Sequence, residues 1–222
     1  MAMGIQSGRF AELRQKMVDA QLRARGIRDE RVLAAMGKVP RHLFVADKYQ
    51  PSAYEDHPLP IGDGQTVSQP YIVAFMLEAL AFEGWETVLE VGTGSGYQTA
   101  LLAELARQVY SVERIERLAR AAETLLQDLG YENVSLVVGD GSRGLAERAP
   151  FDVIVVSAAA PVIPQPLLEQ LRQGGRMVIP VGPQHAQELK LVRRQEGGAR
   201  VQNLEGCRFV PLIGEQGYDQ GW

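Results

Sequence analysis

The sequence predicts an α/β fold: a doubly wound, mostly parallel sheet, with antiparallel strands at its C-terminal end and a helical and loop extension at its N-terminus. Three observations carry this expectation. From residue 70 onward short β-rich runs alternate with helical runs, 87–91 before 97–106 and 109–112 before 118–129. The strand runs are continuously apolar rather than alternating, which marks strands covered on both faces. After Pro180, the strand-like runs 189–193, 200–204 and 207–212 follow one another with no helix between them, which gives an antiparallel finish.

Taken in order, residues 10–25 place Phe10, Leu13, Met17 and Ala20 or Gln21 at three-to-four spacing, an amphipathic helix that Gly26 stops. A second short helix starts near Asp29 and carries Val32, Leu33 and Met36 before Gly37 and Pro40 end it. From residue 40 to 70 the chain is punctuated by Pro51, Pro58, Pro60, Gly62, Gly64 and Pro70, with a tight turn at Asp63-Gly64. Its apolar content, Leu43, Phe44, Val45, Tyr49, Tyr54, Leu59 and Ile61, predicts an ordered loop rather than a disordered one. A helix over 70–82 leads into the alternating part, which continues with strands at 135–138 and 152–156, a helix near 166–171 and a strand at 177–180. We therefore expect one domain over 1–222: an N-terminal extension (1–70), an α/β core (71–182) and antiparallel C-terminal strands (183–222).

Composition sets the outer limits. With 222 residues, 45% of them hydrophobic and 23% charged, the chain can bury a sizeable core without disulfides or metals. A net charge of −4 argues against affinity built on neutralising phosphates, so no nucleic-acid partner is expected. Cys207 is the single cysteine and offers no intrachain disulfide. Residues 1–10 carry no leader-like apolar stretch, and no run approaches the roughly 18 apolar residues of a membrane span. The expectation is a cytoplasmic monomer without membrane contact.

The strongest local signal is Val88-Leu89-Glu90-Val91-Gly92-Thr93-Gly94-Ser95-Gly96-Tyr97, an apolar strand entering a glycine turn that opens a helix. Glycine lets a bound ligand approach the backbone. The spacing is G-x-G-x-G, with tyrosine where a dinucleotide site would place its last glycine, which weakens a nicotinamide reading. The second strand ends in Glu113, 21 residues after Gly92, where a carboxylate can hold two ribose hydroxyls. The third ends in Gly139-Asp140-Gly141-Ser142, where Asp140 can accept from an exocyclic amine. Each has a plainer reading too: a glycine turn that binds nothing, a solvated strand end, ordinary turn chemistry. Together, two carboxylates at strand tips without a lysine or arginine in the glycine loop suit a neutral or cationic adenosine derivative, and S-adenosylmethionine fits.

The ordered strings Val88 to Tyr97, Val112-Glu113-Arg114-Ile115, Gly139-Asp140-Gly141, Pro150 to Ala159 and Gly174 to Gly182 resemble those of the class I methyltransferases, which have a Rossmann-like fold. More narrowly, Val39-Pro40-Arg41-His42-Leu43-Phe44-Val45, Ala53-Tyr54, Pro58-Leu59-Pro60-Ile61-Gly62, Gly64-Gln65-Thr66-Val67-Ser68-Gln69-Pro70 and Phe209-Val210-Pro211-Leu212 resemble the protein-L-isoaspartate O-methyltransferase family. The resemblance spans about residues 15–213, and the Gln65 to Pro70 string is its most specific part.

It implies methyl transfer from S-adenosylmethionine, leaving S-adenosylhomocysteine, to the α-carboxylate of L-isoaspartyl residues in damaged proteins and peptides. The ester then collapses to a succinimide that can reopen as aspartate. By the same resemblance Ser68 and Thr66 would face the reacting groups, and Pro60, Ile61, Gln65 and Val210 would contact substrate. Glu90, Gly92, Thr93, Gly94, Ser95, Glu113, Arg114, Asp140 and Gly141 would contact the cofactor. The tail from Glu215 to Trp222 departs from longer-tailed forms, which leaves open any cofactor contact made there.

The chemistry agrees with the residues. A carboxylate is ionised at neutral pH and needs no general base, and His42, His57 and His185 are scattered without metal-ligand spacing. No metal is expected. Ser68 also stands where a helix N-cap would, just before Gln69-Pro70, so cap and substrate contact are both open. Base-amine methylation fits poorly, because the site after the fourth strand reads Ser157-Ala158-Ala159-Ala160-Pro161. Transfer to a small-molecule carboxylate, or a non-catalytic cofactor-binding module, remain the alternatives.

Overall fold

The computed structural model describes residues 2–219; residues 220–222 of the tail lie outside it. The elements in chain order are α1 (Ala2–Lys16), α2 (Glu30–Lys38), β1 (Leu59–Gly62), β2 (Gln65–Val67), α3 (Pro70–Leu80), β3 (Thr87–Val91), α4 (Tyr97–Leu105), β4 (Gln108–Glu113) and α5 (Glu116–Asp128). There follow β5 (Val134–Val138), β6 (Phe151–Val156), α6 (Gln165–Gln170), β7 (Leu171–Val181), β8 (Gln187–Gln195) and β9 (Gly198–Cys207).

Seven strands form one sheet in the order β5-β4-β3-β6-β7-β8-β9. The first five are mutually parallel, and β8 and β9 are antiparallel additions. Alternation along the central strands explains the continuous apolar runs. Val88, Val153, Val155 and Val178 pack on one face with residues of α2, α3, α4 and α5, whereas Leu89, Val91, Ile154, Val156 and Met177 pack on the other with Leu145 and Leu167. Both faces are covered, so both faces must be apolar. The chain leaves β3 toward β4 and β5, then returns to β6 on the other side of β3. The loops after β3 and β6 therefore diverge at the sheet's switch point, where ligands of such sheets bind.

The N-terminal helix departs from the expected 10–25. It begins at Ala2, and after Lys16 it widens into a π turn over Met17–Leu22 and a 3-10 turn over Arg23–Arg25, ending at Gly26 in the left-handed region (φ 104°). Met17 and Leu22 are both fully buried, and a spacing of five faces one side only in the wider π register. Asp29 caps α2, accepting from Arg31 N and Val32 N.

The 40–58 stretch is ordered in two 3-10 turns, and the Asp63-Gly64 turn closes an unexpected hairpin, β1 against β2. Both turn residues have positive φ, 50° and 69°, the two-residue geometry that matches strand twist. Pro58 and Pro60 hid this hairpin in the sequence, but proline is tolerated on the edge of a two-stranded sheet. The expected strands at 200–204 and 207–212 are corrected as well. The first extends to Cys207 as β9, and residues 208–212 are no strand of the sheet but lie across the end of β6, where Ala159 N donates to Val210 O (2.8 Å) and Leu212 N to Ala159 O (2.8 Å).

Candidate active site

A cleft of about 800 Å³, its open mouth included, lies at the switch point. Its walls are the 92–97 loop, residues 112–115, the Gln65 to Ser68 segment, Ser157-Ala158 and residues 210–213. Glycine loop and neighbours are pinned by backbone bonds: Gly92 N donates to Val112 O (2.9 Å) and Ser157 N to Val91 O (2.9 Å). Gly92, Gly94 and Gly96 all have positive φ (95°, 56° and 87°), which only glycine adopts without strain. The charged side chains on the walls are Glu113 and Arg114. Volume and lining suit a ligand of adenosine size that carries no phosphate.

Glu113, 7% exposed, accepts from Gly94 N (2.9 Å) through Oε2 and from Ile115 N (2.9 Å) through Oε1. It thus ties the glycine turn to the start of α5, and each oxygen keeps a further lone pair for a hydroxyl.

Glu90, expected at the cofactor, lies under the cleft as a support of its walls. It is wholly buried beneath the loop and absent from the cleft wall, accepting from Thr99 Oγ1 (2.6 Å), Ser111 Oγ (2.6 Å) and Gln98 Nε2 (3.3 Å). Ser111 in turn meets Thr93 Oγ1 at 2.5 Å, and Gln98 donates to Ser157 Oγ at 2.6 Å, so one carboxyl braces the side chains on both sides of the switch point. Burial pushes the Glu90 carboxyl up to about 7 in spite of these donors. The folded chain therefore holds a proton that the unfolded chain releases. This stabilisation is complete below the unfolded value of about 4.5 and is lost as pH rises through about 7. Between pH 5 and 8 the wild-type chain should lose about 3 kcal/mol relative to E90Q, read by urea denaturation at both pH values; parallel profiles would refute it.

Asp140 is the next of the expected cofactor residues. It stands beside the cleft rather than on its wall. Its Oδ1 accepts from Ser142 N (2.9 Å) and Ser142 Oγ (2.7 Å), and its Oδ2 from Glu215 N (2.8 Å). Burial would raise this carboxyl, but the Glu215 and Ser142 donors outweigh it and hold it below the usual range. Gly141 does line the cleft, where an added Cβ would meet Val91 Cγ1 at 2.6 Å.

The Ser68 cap reading fails. The N-cap of α3 is Gln69, without a side-chain cap bond, and the carboxylate of Asp56 reaches in from the preceding loop to accept Tyr71 N (3.0 Å) and Gln69 Nε2 (2.7 Å). Among the described residues the Ser68 hydroxyl makes no hydrogen bond. It faces two spaces instead. Beside the cleft lies a wider open groove of about 1300 Å³, lined by Arg25, Tyr71, Cys207, Arg208 and Phe209, and Thr66, Ser68, Ser157, Val210 and Pro211 border both. Pro60 and Ile61 do not reach this junction; they line a separate depression with Tyr49 and Arg117 behind the glycine loop.

Sequence reasoning missed Ser157, Tyr97, Gln98 and Ile213 as lining residues. Ser157 follows the strand next to β3 across the switch point, a position that becomes readable once the strand order is known. Among the described residues no group of three or more His, Cys, Asp or Glu side chains gathers to hold a metal, and no helix is long and apolar enough to cross a membrane.

The family profile described as protein-L-isoaspartate(D-aspartate) O-methyltransferase matches residues 12–217. The chain belongs to the protein-L-isoaspartate O-methyltransferase family. It is 57% identical over 213 residues to the Syntrophus aciditrophicus member, covering 95% of this chain and 98% of that one. The Koribacter versatilis member is 59% identical over 209 residues, 94% of each chain. A solved protein-L-isoaspartate O-methyltransferase superposes with a TM-score of 0.84 at 30% identity, over 92% of this chain and 67% of that chain. A Plasmodium falciparum structure containing S-adenosyl-L-homocysteine shares the fold, with a TM-score of 0.77 at 24% identity over 90% of this chain and 98% of that one. The protein is thus an S-adenosylmethionine-dependent methyltransferase that acts on isoaspartyl residues of proteins and initiates their repair.

Proposed function

We propose that the methyl donor occupies the cleft at the switch point and that the α-carboxylate of an isoaspartyl residue reaches it from the open groove, past Thr66 and Ser68. The observation that carries this reading is the junction: a serine hydroxyl with no partner among the described residues borders both the cleft and the wider groove.

The lining fits S-adenosylmethionine, since the glycine turn leaves room at Gly92 and Gly94 and no cationic cluster answers a pyrophosphate. Gly92, Thr93, Gly94, Ser95, Glu113, Arg114 and Gly141 would hold it, with Glu113 offering its remaining lone pairs to ribose hydroxyls. When bound, the donor supplies a methyl group on a positively charged sulfur.

The chain's own part is placement. Hydroxyls of Thr66 and Ser68 are donors for the acceptor carboxylate, and Gln65 and Val210 line the cleft beside them. No side chain has to remove a proton, because the carboxylate is already ionised at neutral pH. Residues 210–213, lying over the end of β6, form one wall of the cleft. Held in line, the two reactants gain most of their rate from orientation. The ester so formed would close to a succinimide by attack of the neighbouring backbone nitrogen on the ester carbonyl, with the methoxy group leaving as methanol and carrying off the nitrogen's proton. The single cysteine suits a reducing compartment such as the cytoplasm.

Matched peptides test the reading. With labelled donor, an isoaspartyl peptide should acquire base-labile label at least about 100-fold faster than its aspartyl twin, a discrimination of about 3 kcal/mol. Equal labelling of both would overturn it.

A further inference from the structure

Ser68 is held from both sides, although its own hydroxyl has no partner among the described residues. Upstream the hairpin holds it: Val67 is buried and paired with Leu59, and Thr66 is paired with Pro60. Downstream the strand has ended, and the side-chain hold is a single carboxylate. Asp56 Oδ1 accepts from Tyr71 N (3.0 Å), while Oδ2 accepts from Gln69 Nε2 (2.7 Å) and from the Arg25 guanidinium. That guanidinium lies over the Tyr71 ring, 3.6 Å from its centroid, so Asp56 also ties the end of the N-terminal helical segment to the start of α3. Capping a helix takes one oxygen. The other holds the side chain of the residue next to Ser68, through a charge-assisted bond on a carboxylate whose side chain is only 18% exposed. Arg25, Ser68, Gln69 and Tyr71 all line the groove, whereas Asp56 is on the wall of neither groove nor cleft.

We propose that Asp56 is a positioning residue for methyl transfer: by clamping the Gln69 side chain and the first turn of α3, it fixes the backbone from which the Ser68 hydroxyl meets the acceptor carboxylate. The inference rests on that role of Ser68. Asp56 touches neither reactant and works by placement alone, in a reaction where a displacement of about 1 Å can cost roughly 100-fold in rate. With no hydrogen bond of its own, the Ser68 hydroxyl is as well placed as the chain on either side of it. The hairpin supplies one anchor and Asp56 the other.

Kinetics with an isoaspartyl peptide, well below the melting temperature, test the clamp. D56A should lower kcat at least about 10-fold while the S-adenosylhomocysteine Kd, read by calorimetry, stays within about twofold. D56N should return to within about threefold of the wild-type kcat, because its Oδ1 still accepts Tyr71 N and its amide can donate to Gln69 Oε1 once that amide turns over. A plain cap predicts a lower melting temperature without a kinetic loss. D29A, which removes the cap of α2, supplies that comparison and should leave kcat unchanged. The S68A background is the sharpest measurement: D56A/S68A should be no slower than S68A, since the clamp works only by way of that hydroxyl. If circular dichroism shows D56A unfolded, Q69A takes its place, with a loss of about threefold that again vanishes beside S68A. Wild-type kcat in D56A or in its replacement, an equal kcat loss in D29A, or losses that multiply in the double variant would each overturn the clamp. A wild-type rate in S68A alone would instead bring down the reading of Ser68 beneath it.

Discussion

Replacing Gly94 by valine should abolish useful donor binding, raising the S-adenosylhomocysteine Kd by at least about 100-fold, or roughly 3 kcal/mol. Gly94 stands at φ 56°, where a β-branched residue is strained by a few kcal/mol, as an order of magnitude. Its ideal Cβ would sit 3.4 Å from Ile61 Cδ1, an ordinary contact with the tip of a flexible side chain, so backbone strain rather than crowding carries the effect. The same strain would pull the Gly94 N–H off Glu113 Oε2, loosening the turn that defines the site. Isothermal calorimetry on a variant with an unchanged circular-dichroism spectrum decides the matter, and wild-type affinity would remove the cleft from consideration as the donor site.

Ser68→Ala should act on the other half of the reaction. Loss of one donor to a charged oxygen is worth about 1.5–3 kcal/mol, so kcat should fall roughly 10- to 100-fold with an isoaspartyl peptide. Donor affinity should stay within about twofold, because Ser68 lies at the mouth toward the groove rather than among the glycines. The cap alternative predicts something different: a drop in stability with little kinetic effect. Since Asp56 and not Ser68 satisfies the first turn of α3, the melting temperature should hold. An unchanged rate would return Ser68 to a bystander.

The parts of the molecule legible in sequence are those where one local rule governs. Thr87–Val91, the glycine turn and α4 follow from an apolar run meeting G-x-G-x-G, and β6 is a six-residue buried run with no competing period. What escaped was decided by partners far along the chain. Met17 and Leu22 are both buried only because the backbone widens between them, and no helical period of 3.6 anticipates that. Residues 208–212 look like a strand, yet among the described residues their bridge is to Ala159, just past the tip of β6. Asp140 and Glu90 carry the right chemistry at the right strand ends, but one is engaged by the C-terminal turn and the other lies under the floor. Pro60 and Ile61 share a hairpin with Thr66, and sequence proximity could not say on which side of the glycine loop each would fall.

The double engagement of Glu113 bears on how quickly a ligand can be captured. With one carboxylate holding both Gly94 N and Ile115 N, the turn after β3 and the first residues before α5 are immobilised in the free protein. Entry then requires no ordering of a floppy segment, whose entropy would otherwise be subtracted from affinity at about 1–2 kcal/mol per residue. Such a receptor is preorganised: encounter, rather than rearrangement, sets the pace at which the site fills.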